Sequence, residues 1–411
     1  MSQLLEQLSY AEPNELFIYD GQFAYHGERY RGKGWLRWDP ESGARIDLTA
    51  ERTGPAPPVD VEYWHTGWFK PEHYTMIRMR THGLGWVVAP HVGLARRFDV
   101  SLGSYLSVDV RRLIWQDAWP GQIKPGFSGH VTLAFHERTD LFAPLSETVV
   151  VGDRKIQERH SAGEGVLAEV DGVEICGRLD SRRRARITWS APEGTLSRKS
   201  AWTFGHALRA AMSLCTGCSA PVLERQIVRT ARTYRELRPY REPSRLSGLE
   251  WFAPHAGPTG GECLSLALAL ASNEKLLRMS WGAFSQLLDS QRQRSLESSE
   301  LLVALILEGI LRTLDNRPFV TGKTFNLQEA LSRLRPNRFP SITQQQCDHA
   351  RAARNRLRHP NAHPDWLSSE PRFTHAELTQ SSKDMSYLSK FYGRIIFEAV
   401  GLPATAHRIS L

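Results

Sequence analysis

SSELLVALILEGILRTL, residues Ser298 to Leu314, is the most apolar helix-length stretch in the chain. Its apolar residues recur at three- and four-residue steps, which is the helical period. They are too dense for a helix with one wet face, so this segment is expected to pack inside a bundle or across an interface. The same period extends on both sides. Leu264–Ala271 and Lys275–Leu288 precede it with helical spacing. Downstream, Asn326 is placed to cap a helix Leu327–Leu334, with Glu329 completing a capping-box pattern. Thr343 and Gln346 repeat that pattern ahead of Gln344–Arg358. A last helix is expected from about His375 to Val400, stopped by Gly401 and Pro403. Residues 263–411 therefore read as an all-α domain.

The first 200 residues have a different texture. Short runs of β-branched and aromatic residues are broken by Gly, Pro and Asp: Arg31–Trp38, Tyr74–Met79, Val131–Phe135, Glu147–Val151, Gly165–Val170 and Arg186–Trp189. Asp171-Gly172 between two such runs is a hairpin signal. The only helical hint is a weak one at Leu4–Leu8. Residues 1–200 thus read as a β-rich domain, a sandwich or an open barrel, and the fold class as α+β. Between the two lies a mixed segment, 201–262. It holds one helix near 201–214, two strands at Val222–Val228 and Thr230–Leu237, and a Pro/Gly-rich stretch from 238 onward that reads as a linker.

Composition bounds the function. Hydrophobic residues make up 41% and charged residues 23% of 411, which excludes a disordered tail or a collagen-like fibre. No apolar run reaches membrane-spanning length, and the N-terminus lacks a secretory pattern. Five cysteines in a chain this long are not a disulfide scaffold. These features point to a cytoplasmic protein with no membrane partner. The net charge of +8 is uneven. Residues 1–150 hold 15 Lys+Arg against 18 Asp+Glu, residues 151–245 hold 18 against 11, and residues 265–411 hold 19 against 13. The basic excess of the later regions suits a polyanion.

Two motifs fail on inspection. Gly322-Lys323-Thr324 lacks the first glycine of a phosphate loop, since Arg317 stands there. Cys215 and Cys218 form a CxxC with no second pair to complete a zinc site, so no metal and no cofactor is expected. The run Arg182-Arg183-Arg184 reads either as a phosphate grip or as a solvated turn.

The informative stretch is Ala350–Trp366, ARAARNRLRHPNAHPDW. Arg354 and His359 are five positions apart, with Asn355 directly after the arginine. The spacing alone has no weight, because Arg358 and His363 repeat it. Pro360 is the distinguishing context, since a residue before proline avoids the helical region, and the helix is expected to end at or just before His359. At such an end the histidine could turn toward the arginine, whose directions would otherwise differ by about 140°. Arg then offers a fork of donors to a phosphate, and His a proton near neutral pH. Arg338, Arg351, Arg356 and Arg358 surround the pair and would attract an RNA backbone. The plain alternative is a helix C-terminus dressed with cations to suit its dipole.

The segment Arg354-Asn355-Arg-Leu-Arg-His359 resembles the R-N-x-x-x-H signature of the HEPN superfamily of helical ribonucleases. Glu300–Glu308 is similar to the glutamate-bearing helix that precedes it in many members. The layout is reminiscent of ApeA-like HEPN proteins of bacterial antiphage defence. The resemblance implies a homodimer with a composite cleft and metal-independent cleavage of RNA by its own 2′-hydroxyl. It assigns the scissile phosphate to Arg354, acid–base chemistry to His359 and a polar orienting role to Asn355. It also places Glu308 near the cleft, though Glu308 reads equally as a packing carboxylate. His363 is the rival histidine. Proline at 360 departs from the glycine of many members. An N-terminal sensor with a phage-derived or other trigger would complete the picture. Two other readings stay open: a non-catalytic HEPN-like dimerisation module with a ligand- or protein-binding β domain, and a nucleic-acid-binding regulator.

Overall fold

The computed structural model describes residues 13–25, 28–55, 74–82, 85–93, 98–99, 105–118, 126–134, 149–151, 154–156, 165–179, 184–229, 232–247, 249, 251–252, 257–293, 295–315, 325–362 and 374–411. The strands are β1 (Asn14–Tyr25), β2 (Glu28–Asp39), β3 (Gly43–Pro55), β4 (Tyr74–Thr81), β5 (Gly85–Gly93), β6 (Phe98–Asp99), β7 (Tyr105–Val110), β8 (Leu113–Ala118), β9 (Phe127–Ala134), β10 (Val149–Val151), β11 (Arg154–Ile156), β12 (Gly165–Val170), β13 (Val173–Leu179), β14 (Arg184–Ala191), β15 (Val222–Arg229) and β16 (Arg232–Leu237). The helices are α1 (Arg198–Thr216), α2 (Gly260–Ser272), α3 (Glu274–Ser290), α4 (Leu296–Leu314), α5 (Leu327–Arg338), α6 (Gln344–Ala362), α7 (His375–Ala399) and α8 (Pro403–His407). The fold is α+β. No helix among the described residues is long and apolar enough to cross a membrane. The segment around Leu4–Leu8 lies outside the described residues.

The chain divides into two compact units, and the division is not collinear with the sequence. The first comprises Met1–Ala134, Arg184–Thr195 and Pro221–Glu242; the second comprises Phe135–Arg183, Leu196–Ala220 and Pro243–Leu411. This division falls at other positions than the boundaries expected at 200 and 262. The reason is strand pairing. β9 is flanked by β14 on one side and β15 on the other, both antiparallel. The chain thus leaves this unit and returns to it twice, and each return is a pairing between residues far apart in sequence.

In the first unit the strands follow the order β14-β9-β15-β16-β8-β5-β4-β1-β2-β3-β7-β6. Alternation drives the packing: Leu16 and Ile18 of β1, Leu36 and Trp38 of β2, and Ile46 and Leu48 of β3 share one apolar core. β2 and β3 approach closely at Gly34, where a Cβ would lie 1.8 Å from the Asp47 carbonyl oxygen. The same unit also buries charge. Glu224 on β15 accepts from Arg235 of β16, and its Oε1 lies 3.3 Å from Nε2 of His130 on β9. Burial alone would raise the Glu224 pKa, but the His130 hydrogen bond and the Arg235 charge hold it at about 2. Burial lowers the His130 pKa and outweighs the pull of Glu224.

Those shifts set a pH dependence. Below pH 6.5 the unfolded chain protonates His130 while the folded chain resists, so stability falls as pH drops through that value. Glu224 adds a second loss below pH 4.5, through its folded value of about 2. We expect urea midpoints to decline from pH 7.5 to 5.5. The slope should be shallower in His130→Gln, by at most about 1.4 kcal/mol per pH unit. Equal slopes would show that His130 titrates alike in both states.

The second unit holds the helices and two hairpins, β10–β11 and β12–β13. The latter turns at Asp171-Gly172, both with positive φ (50° and 76°). The caps read from sequence form: Asn326 accepts from Glu329 N at 3.1 Å, and Thr343 Oγ1 accepts from Gln346 N at 3.2 Å while Gln346 returns a bond to Thr343 N. α4 buries Val303, Ala304, Ile306, Leu307, Ile310, Leu311 and Leu314 within this unit, packing on α3, α6 and α7. The Pro/Gly-rich stretch beyond 242 is not the exposed linker expected. Leu246, Leu249 and Trp251 are buried, and Trp251 Nε1 donates to Ser389 Oγ of α7 at 3.1 Å. A large aromatic in a polar, glycine-rich stretch finds its pocket on a distant helix, which composition does not disclose.

Candidate active site

α6 begins at the Thr343 cap and carries the informative stretch. Its helical backbone runs through His359 and Pro360 to Ala362, two residues beyond the proline. The expected end at His359 is therefore corrected. A proline costs a helix its own N–H bond and a clash with the carbonyl four residues back. Near a C-terminus that cost is borne, and α5 likewise contains Pro336 two residues before its last residue. In a continuous helix, positions 354 and 359 lie about 140° apart around the axis. The side chain of His359 lies outside the described atoms, and His363 lies outside the described residues.

Arg354 is buried at 8% exposure, not displayed at a helix end. α4 and α6 pack together, and this brings Glu308 to it: Arg354 Nη2 donates to Glu308 Oε2 at 3.2 Å. The other carboxylate oxygen, Oε1, accepts from Arg312 Nε and Nη2 at 2.9 and 2.7 Å. Arg312 in turn lies over the ring of Phe325, 4.9 Å from its centroid. Arg354 Nη1 donates to Asn355 Oδ1 at 3.3 Å, and Asn355 itself is exposed. Among the described residues, Arg354 Nε is buried without a hydrogen-bond partner.

Burial lowers the pKa of Arg354, and the charge of Arg358 acts in the same direction; Glu308 and Tyr392 oppose both. A guanidinium stays charged in proteins nonetheless. The result is a desolvated cation fixed on one edge by a carboxylate, with a donor left over. A buried donor without an acceptor is costly. Tyr392 of α7 closes the inner side, its hydroxyl donating to the Val303 carbonyl oxygen at 2.6 Å.

The other cations named from sequence divide by role. Arg358 and Arg338 are exposed and make no ion pair among the described residues. Arg351 donates to Gln328 and lies 3.8 Å from Asp348. Arg356 is different: its Nε and Nη2 grip both oxygens of Asp384 on α7, each at 2.7 Å. Asp384 is buried, so Arg356, itself still exposed, clamps α6 to α7 through that carboxylate. We expect Arg356→Ala to lower stability by about 2 kcal/mol, because among the described residues it leaves the buried carboxylate with the Gln380 bond alone. A urea titration checks this, and an unchanged midpoint would return Arg356 to the surface cations.

Sequence reasoning missed Arg312, Tyr392 and Asp384. Arg312 carried a signal, since it stands four residues after Glu308 on one helix face. The other two are set only by the placement of α7. Cys215 and Cys218 are buried and form no disulfide among the described residues. Burial beside Cys263 pushes the Cys215 thiol well up, which suits inert packing. No known family, no curated protein and no solved structure matches this chain.

Proposed function

We propose that the chain is a metal-independent endoribonuclease of HEPN type, with Arg354, Asn355 and His359 as its working residues. The observation that carries this reading is the desolvated Arg354 fork. Glu308 holds one edge of it, on a helix whose next turn bears exposed Arg358 and position 359. In the reaction the RNA 2′-oxygen bonds to phosphorus and the P–O5′ bond breaks. The 2′-hydroxyl proton passes to a base and the 5′-oxygen takes one from an acid. Arg354 stabilises the charge on the phosphate, and His359 serves the proton transfers. Positions 354 and 359 diverge on one continuous helix. A second copy supplying the facing histidine would bring both groups to one phosphate, so the working form is a homodimer. Glu308 orients the guanidinium. The sheet-bearing unit would act as sensor of a phage-derived or other trigger in a defence setting.

The test is incubation of purified full-length chain with cellular RNA and excess EDTA. Fragments ending in 2′,3′-cyclic phosphate, from a preparation that sediments as a dimer, are expected. DNA, lacking the 2′-hydroxyl, stays whole. Cleavage that requires Mg²⁺, or that also cuts DNA, would overturn the assignment.

A further inference from the structure

The outward face of β5-β4-β1-β2-β3-β7 in the first unit is unusual for a solvated sheet. It displays Trp35 at 42%, Tyr105 at 41%, Phe17 at 37% and Tyr19 at 37% exposure. These are large apolar surfaces on the side opposite the Leu36–Ile46 core. Phe17 and Trp35 are cross-strand partners with rings edge-on at 5.2 Å. Tyr19 lies beside His82, ring centroids 5.0 Å apart. Clustered exposed aromatics mark interaction sites.

The charges around them are sorted. Arg37 bonds to Glu15 and Asp47, Arg45 also reaches Asp47, and Arg31 bonds to Asp20. Glu51 and Asp109 stand across from Arg31 and Arg45 in the register. Each of these acids is thus set against an arginine, and Asp39 at the end of β2 accepts from Glu41 N, Ser42 N and Ser42 Oγ. β4 carries Arg78 and Arg80 outward with no acidic residue in the strand; Arg80 stands across from Asp20 of β1, and Arg78 across from Gln22. Their guanidinium carbons lie 4.9 and 4.5 Å from the ring centroid of Trp86. Lys33 adds a further exposed cation between Arg31 and Trp35. Exposed rings with a cationic strand beside them offer stacking for bases and attraction for phosphates. That combination recognises unpaired nucleotides, because a duplex hides its base faces.

We propose that this sheet face binds single-stranded nucleic acid, with Phe17, Trp35 and Tyr19 as stacking rings and Arg78, Arg80 and Lys33 as phosphate contacts. The proposal concerns a different unit from the ribonuclease reading and stands without it. Its probe is therefore an uncleavable one: a fluorescent 15-nucleotide single-stranded DNA, and its 2′-O-methyl RNA counterpart, titrated with full-length chain at low salt. Anisotropy should show binding that weakens steeply with salt and exceeds that of the matching duplex. Trp35→Ala is expected to weaken it roughly tenfold, and Phe17→Ala with Trp35→Ala more. Arg78→Ala should reduce the salt slope by about one. Both rings are exposed, so the variants are expected to fold, and circular dichroism verifies that. Ultraviolet cross-links should map to peptides from residues 14–55. Unchanged affinity in the folded double variant, equal affinity for duplex, or no binding at low salt would each overturn the proposal. In the last case the face serves a protein partner instead.

Discussion

Alanine at His359 is expected to slow RNA cleavage by about 10²–10⁴-fold, the usual worth of general acid–base help. The companion substitution needs more care. Arg354 is buried and bonded to Glu308, so Arg354→Ala would remove packing and an ion pair together with any catalytic contact. Arg354→Lys keeps the charge and most of the stem but loses the planar fork that would hold phosphate and Glu308 at once. On the proposed mechanism it should lower cleavage by about 10²-fold or more, the cost of losing an oriented donor to a charged transition state. Its denaturation midpoint should move little by comparison. Gel assays on total RNA with EDTA present, paired with urea titrations, separate the two effects. Wild-type rates in both His359→Ala and Arg354→Lys would remove the site. Loss of rate only in proportion to loss of folded protein would make Arg354 a packing residue.

The second large effect is on stability. Trp251→Ala is expected to cost about 3–5 kcal/mol, the range for emptying a buried aromatic site. Its ring meets Phe284 and Phe397 edge-on, with centroids 6.0 and 6.2 Å away. Its Nε1 holds Ser389 Oγ, which donates at 2.7 Å to the Leu249 carbonyl oxygen. The chain is therefore stitched to α7 by both its side chain and its backbone. Gly393 permits this approach, since a Cβ there would fall 2.6 Å from the indole. Gly393→Ala should accordingly destabilise through the same contact, and the two substitutions should be non-additive. A midpoint shift for Trp251→Ala below about 0.5 kcal/mol, the usual surface value, would restore the stretch to a mere linker.

The legible parts of this chain were those whose causes are local. Helix starts at Asn326 and Thr343 depend on a cap and a residue three positions on, so they could be read directly. The 171–172 turn depends on two residues that accept positive φ. Runs of β-branched and aromatic residues placed β2, β4, β9, β12 and β14, and the apolar period of 298–314 placed α4, which buries one face and leaves Leu305 exposed where burial on most sides was expected. The α+β class follows from those periods alone.

What tertiary structure decided is what joins distant residues. Whether β9 pairs with β14 and β15 is a question about residues about 55 and 95 positions apart, and no local period encodes it. That pairing splits residues 1–200 between two units and overrides a boundary that composition suggested. Glu308 and Arg354 are 46 residues apart, and only the packing of α4 on α6 turns two charges into one buried pair. Asp384 makes the exposed Arg356 a clamp between α6 and α7 by the same means. Pro360 shows the converse: a strong local bias against helix yields when the remaining turn costs little to keep. Local preference is worth about 1 kcal/mol per residue, whereas burying a ring or pairing a buried charge is worth several. At Arg354 and Arg356 the non-local contact decides what each side chain does.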